Sequence, residues 1–198
     1  MLSRLVRASA AAALVLLTVT AVQAQTSVAP TGFAFGGNLG YYTLSGDDFE
    51  GIDSGLGFEG NVRYSWLSGF QILGGVHYAS HGIDGLDENI NVLSIFVEPR
   101  YVFAIGSPTL SPFVGGRAGW VRQSLDIEGI DASADGVAFG GSGGLLFQVA
   151  PQVAIETSVM FAAVSFGDIE VEGESVDGTD SSGTTLALQG GIVISLPR

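Results

Sequence analysis

The chain has 198 residues, 20 Asp plus Glu against 7 Lys plus Arg, 46% hydrophobic residues, 30 glycines and no cysteine. Without cysteine there is no disulfide framework, thiol nucleophile, thiolate metal site or lipoprotein anchor. A net charge of −13, with every basic residue an arginine, offers no basic footprint for nucleic acid.

At the N-terminus, Arg4 and Arg7 precede an apolar, Ala-rich run from Ala8 to Val22, and Val22-Gln23-Ala24 is a small-residue cleavage pattern. Residues 1–24 are expected to be a cleaved secretory signal peptide, leaving 25–198 as one domain. The apolar core is short for the ~20 residues of a membrane anchor. Losing the two arginines takes the charge from −13 to −15.

No later segment offers ~18 consecutive apolar residues, so a helical span is not expected. Instead, eight stretches alternate: 32–44, 55–66, 70–80, 90–103, 110–124, 137–148, 153–166 and 184–196. In 55–66, Leu56, Phe58, Val62, Tyr64 and Trp66 fall on one side, while Glu59, Asn61, Arg63 and Ser65 fall on the other. Successive strand side chains point to opposite faces, so this is a two-faced strand. The same parity gives Phe33, Phe35, Leu39 and Tyr41 in the first stretch and Phe70, Ile72, Val76 and Tyr78 in the third. Large apolar groups on one face and the strand charges on the other suit a barrel in lipid, which turns its charges inward.

The connections alternate in length. Ser68-Gly69, Gly106-Ser107-Pro108 and Ala150-Pro151-Gln152 mark short turns, whereas 45–54, 81–89, 125–136 and 167–183 read as longer acidic loops. Short periplasmic turns with longer extracellular loops, and both termini on the periplasmic side, are the pattern of an outer-membrane barrel. Trp66, Phe70, Tyr101, Phe103 and Phe147 lie near the short turns; Tyr41, Tyr78, Trp120 and Phe161 lie toward the loops, as two interfacial belts require.

Seventeen acids fall in the four loops, and the other three, Glu59, Glu98 and Glu156, fall on inward strand faces with Arg63, Arg100 and Arg117. Unpaired buried charge is costly, so these six are expected to form a matched Glu–Arg cluster with His77, Asn38, Gln71, Gln148 and Gln189 around it. Eight strands enclose a space that side chains can fill, which favours a structural plug over a narrow ion path. Arg122 faces outward by parity, either reaching headgroups at the rim or marking a register break after Trp120.

Three motifs offer chemistry. Asp168-Ile-Glu170-Val-Glu172-Gly173 echoes the front of a calcium loop, but Thr179 stands where a bidentate Glu belongs, and an extended strand fits equally. A lipid A-modifying Ser–His–acid site would draw on His77 and His81; Ser80 and His81 are strand neighbours pointing apart, and His81 reads as a loop-edge residue. Gly140-Gly-Ser-Gly-Gly144 lacks the Lys-Ser/Thr of a phosphate loop. No catalytic residue, cofactor or metal site is assigned.

Leu110-Ser-Pro-Phe-Val-Gly-Gly-Arg-Ala-Gly-Trp-Val-Arg122 resembles the "SPYVGAGLGY" strand of the small OmpA/OmpX-type outer-membrane β-barrel family, and the eight-strand layout extends the resemblance over 30–196. The resemblance implies an all-β, eight-stranded antiparallel up-and-down transmembrane barrel in the bacterial outer membrane. It also implies a non-enzymatic role in membrane integrity or surface interaction. The expected partners are outer-membrane lipids and, during insertion, the barrel-assembly machinery. Divalent cations could bridge the acidic loops, and the barrel is expected to be a monomer. The chain departs from the family at its end, Ile194-Ser-Leu-Pro-Arg198, where an aromatic residue is usual, and no peptidoglycan-binding tether is expected. A soluble barrel with the apolar face inside is the remaining alternative.

Overall fold

The computed structural model describes residues 31–85, 88–127, 130–171, 174–176 and 181–197. The signal-peptide expectation for residues 1–24 lies outside the described residues, as does Thr179. The strands are β1 (Gly32–Ser45), β2 (Gly55–Ser65), β3 (Phe70–Gly82), β4 (Asn89–Val102), β5 (Leu110–Ile127), β6 (Ile130–Ala150), β7 (Val153–Val171), β8 (Glu174–Val176) and β9 (Ser181–Ser195).

Each of β1 to β7 pairs antiparallel with the strand that follows it. β9 pairs with β7 along Val153↔Ile194 to Phe166↔Ser181 and with β1 along Ala34↔Ser195 to Ser45↔Thr184. The first and last strands therefore meet, and β1–β7 with β9 form a closed eight-stranded barrel. The three-residue β8 only extends the top of β7. Closure leaves the barrel wall without unpaired edges, which a sheet spanning lipid requires.

The alternation sorts the two faces. Phe33, Phe35, Leu39, Tyr41, Leu56, Phe58, Ile95, Trp120, Phe139, Phe161, Leu188 and Ile192 are exposed on the outside. Tyr64, Tyr78, Ala118, Leu145 and Val153 share that face and are half-buried by neighbours. At the short-turn rim the aromatics touch: Phe33–Tyr64 at 4.9 Å, Tyr64–Trp66 at 4.6 Å, Trp66–Phe70 at 5.4 Å and Tyr101–Phe103 at 5.0 Å between centroids. This apolar band with an aromatic girdle removes the soluble inside-out alternative.

Inside, the strands stack their residues in layers. Along β7, Ala154 joins an apolar cluster near the short turns, Glu156 follows, then Met160 and Ala162, and finally Val164 and Phe166 in the cluster nearest the long connections. β1 repeats the order with Ala34, Asn38, Tyr42 and Leu44. The lumen is thus a floor of apolar side chains interspersed with Ser65, Gln71 and Ser111, a charged belt, a small mixed layer and an apolar roof.

Two expected loops are mostly strand. Residues 125–127 and 130–136 continue the β5–β6 ladder, paired through Ile127↔Ile130, and 169–171 pair with both β6 and β8. The alternation continues here, with Leu125, Ala132, Ala134 and Ile169 on its apolar side, but the outward side changes from apolar to acidic (Asp131, Asp135, Asp168), and the acids made these stretches read as loop. The pairing answers the calcium reading of Asp168 to Gly173 as far as Val171: that part is β-ladder. In the connection after β1, Asp47–Phe49 forms a single 3-10 turn, and Phe49 is buried against Phe166 in the roof.

Candidate functional site

The polar belt is built by residues two apart on inward faces. β2 contributes Glu59, Asn61 and Arg63; β4 contributes Glu98 and Arg100; β5 gives Arg117 and β7 gives Glu156. All six charged side chains are buried, from Glu98 at 0% exposure to Arg117 at 9%.

They alternate in sign around the lumen. Arg63 Nη1 lies 2.6 Å from Glu156 Oε2, and Arg100 Nη1 lies 3.0 Å from Glu156 Oε1. Arg100 Nη2 lies 2.7 Å from Glu98 Oε1, and Arg117 bridges Glu98 Oε2 and Glu59 Oε2 at 2.7 Å each. The gap between Glu59 and Arg63 is closed by Asn61, whose Nδ2 donates to Glu59 at 3.1 Å while its Oδ1 accepts from Arg63 Nε at 3.1 Å and Nη2 at 2.9 Å. Charges sum to zero, and every carboxylate meets at least one guanidinium. Desolvating an ion costs several kcal/mol, roughly, so only a matched geometry of this kind is tolerated in a dry lumen.

Neutral neighbours complete the ring. Ser142 Oγ donates to Glu98 at 2.6 Å, Asn38 Nδ2 to Glu59 at 3.3 Å, and Gln189 Nε2 to Tyr42 Oη at 2.7 Å and Glu59 at 3.4 Å. Two guanidinium groups stack on aromatic rings, Arg100 over Phe113 at 3.8 Å and Arg117 over Phe96 at 3.7 Å. Stacking suits the flat guanidinium, which a lysine would not replace.

Not every residue expected at the cluster joins it. His77 sits opposite Glu59 in the β2–β3 ladder, yet its ring stacks on Tyr42 at 4.4 Å and its Nε2 has no hydrogen-bond partner. Gln71 bonds Ser65 at 2.9 Å below the ring, and Gln148 holds the β6–β7 turn through Ala150 O at 2.6 Å. Gln71 Oε1 and Ser111 Oγ, both without protein partners, line a cavity of about 20 Å³, large enough for a water. Asn61, Ser142, Tyr42, Phe96 and Phe113 were not anticipated at the cluster; their inward parity on the same strands is the signal that could have found them.

His81 is corrected from loop edge to β3 interior: it is 1% exposed, with Nδ1 3.1 Å from Asp53 O. Ser80 is half-buried on the opposite face of β3, so the two do not form a catalytic pair. Arg122 keeps its outward parity with no register break, opposite Asp135 in the β5–β6 ladder and 3.4 Å from its carboxylate.

At the long-connection end the described residues present Asp48, Glu50, Asp53, Asp84, Asp131, Asp135 and Asp168 to solvent, with Arg122 their basic neighbour. Thus the molecule offers two features: a sealed charged ring inside and an acidic rim outside.

A family model described as an outer membrane protein β-barrel domain matches residues 12–188. No match was found among curated protein sequences. Among solved structures, Neisserial surface protein A superposes with a TM-score of 0.66 at 18% identity, over 84% of this chain and 98% of the other. Ail, the attachment invasion locus protein of Yersinia pestis, gives 0.51 at 17% identity, over 82% and 99%. A major outer membrane protein from Thermus thermophilus gives 0.52 at 13% identity, over 82% and 99%. At these identities the likeness is one of fold.

Proposed function

The chain belongs to the outer membrane protein β-barrel domain family and lies in the bacterial outer membrane, and from that premise we propose that it works through its acidic outer rim rather than by passing solutes or by catalysis. The observation that carries this reading is the lumen itself: five ion pairs at 3.0 Å or less, closed above by an apolar roof. An ion crossing it would have to displace matched charges and pass the apolar roof of Leu44, Val92, Val121 and Phe166. The Ser80–His81 pair is split between opposite faces of β3, which leaves that candidate for catalysis unassembled.

What remains is surface chemistry. Among the described residues, seven exposed carboxylates crown one end of the barrel. Such a rim suits contact with cationic surfaces, or divalent bridging to the anionic lipid around it, and so a role in surface interaction or membrane integrity. Changing Asp48, Glu50, Asp131, Asp135 and Asp168 together to Asn or Gln should leave folding intact, as read by unchanged gel mobility without boiling. It should weaken adhesion of cells to cationic surfaces or raise their sensitivity to detergent. A variant that folds, reaches the surface and alters neither would overturn the proposal.

A further inference from the structure

Above the ion ring and below the roof lies a chamber of about 50 Å³, walled by Tyr42, His77, Val92, Phe96, Met160 and Ala162 among others. Nearly all of its wall is hydrocarbon or aromatic. His81, Ser94 and Thr185 also reach the lining, and the buried side chain there with an unpartnered polar atom is His77, 6% exposed, whose Nε2 has no hydrogen-bond partner. A buried polar atom without a partner in an apolar chamber marks the place where a guest can bond.

The floor is electrically closed. Arg117, which also lines the chamber, is matched by Glu59 and Glu98 at 2.7 Å each and stacked on Phe96 at 3.7 Å. It has no charge to offer a guest, and the apolar walls would penalise one. The roof is closed by fewer parts. Phe49, 4% exposed, packs on Phe166 with centroids 6.2 Å apart, on a short connection between Gly46 (φ 145°) and Gly51 (φ 84°). That connection is tied down by the Ser182 N–H donating to Asp48 Oδ2 at 2.9 Å, at the solvent side. Its two glycines adopt conformations that other residues rarely reach, and they flank Phe49, which packs in the roof with Ile52 and Ile83 beside it.

We propose that this chamber binds a small uncharged molecule with an apolar body and one hydrogen-bonding group, of the class of short-chain alcohols and ketones, bonded to His77 Nε2 and admitted from the outer side when Phe49 swings out. Met160 gives the wall an unbranched, adaptable side chain, so a guest of a few non-hydrogen atoms fits without breaking the ring. Nothing need cross the membrane, and of the rim carboxylates only Asp48, which ties the cap, bears on the site.

The test uses the refolded full barrel in detergent, with histidine labelled by ¹⁵N, titrated with 2-propanol and in parallel with isopropylammonium. The His77 imidazole resonance should shift and saturate with the alcohol and stay unmoved by the cation. Ala162→Leu, which fills the chamber, should weaken the alcohol at least tenfold, and Phe49→Ala should speed its exchange at least tenfold. If Ala162→Leu does not fold, His77→Phe serves instead: the alcohol should then no longer delay heat unfolding as it does in the unaltered barrel. A shift linear in alcohol without saturation, or a saturating one undiminished by these changes, would mean a chamber that holds water only and would overturn the proposal.

Discussion

Asn61 and Arg63, two residues apart on the inward face of β2, are joined by two hydrogen bonds from one guanidinium to one amide oxygen, at 3.1 Å and 2.9 Å. Because Asn61 also donates to Glu59, an uncharged side chain closes a ring otherwise made of alternating charges. A strand delivers this spacing naturally, since residues i, i+2 and i+4 share a face.

Removing the amide should be felt. Asn61→Leu leaves Arg63 with two unpaired N–H groups and Glu59 with one donor fewer, and is expected to cost about 1–3 kcal/mol. The urea midpoint of the folded-to-unfolded shift in gel mobility measures it. An unmoved midpoint would mean that Arg63 finds another acceptor in the lumen.

Glu98 and Asp135 make a paired comparison. Glu98, 0% exposed, holds Arg100 and Arg117 and accepts from Ser142, so Glu98→Gln takes from each arginine one of its two carboxylates, leaves the buried ring one positive charge in excess and should cost about 3–5 kcal/mol. Asp135 meets Arg122 at 3.4 Å with side chains 52% and 43% exposed, so Asp135→Asn should cost less than about 1 kcal/mol. Equal costs for the two in the same denaturation assay would refute the placement of the charges.

Gly183 lies against the cap. A Cβ there would come within 2.5 Å of the Phe49 ring and 2.6 Å of Ser45 O, so Gly183→Ala must push the ring aside. Overpacking of this kind is expected to cost about 1–3 kcal/mol. The amide of Phe49, which donates to Gly46 O at 3.0 Å, should then exchange its hydrogen faster while amides in β2 stay protected. Uniform loss of protection would place the effect in the barrel wall instead.

Replacing Arg100 and Arg117 by lysine tests the stacking. Lysine keeps the charge but not the planar contact with Phe113 and Phe96, nor the forked bonds to two carboxylates. Each change is expected to cost about 1–2 kcal/mol or more, read by the same midpoint. A neutral result would make simple charge balance sufficient.

Much of the barrel was legible because its signal is period two with one apolar face. Glu59, Arg63, Glu98, Arg100, Arg117 and Glu156 could be placed inward by counting from Phe58, Val97 or Trp120. Where the outward side turns acidic, as at Asp131, Asp135 and Asp168, the period persists but the apolar lipid-facing side that marks a membrane strand is gone, and strand reads as loop. His77 and His81 show a further limit. Parity puts both inside, but whether an inward group joins the ring depends on the stagger of neighbouring strands, which no single strand records. Phe49 lies in a connection with no period at all, and its burial follows only once β7 and β9 bring Phe166 and Gly183 beside it.

The central claim is that the ion ring seals the lumen. Its most direct test is conductance of the refolded barrel in a planar bilayer at neutral pH. A quiet membrane, remaining quiet across applied voltage while gel mobility confirms folded protein, is the predicted result. Discrete unitary openings whose size changes when Glu59 or Arg63 is neutralised would contradict it and make the ring a gate.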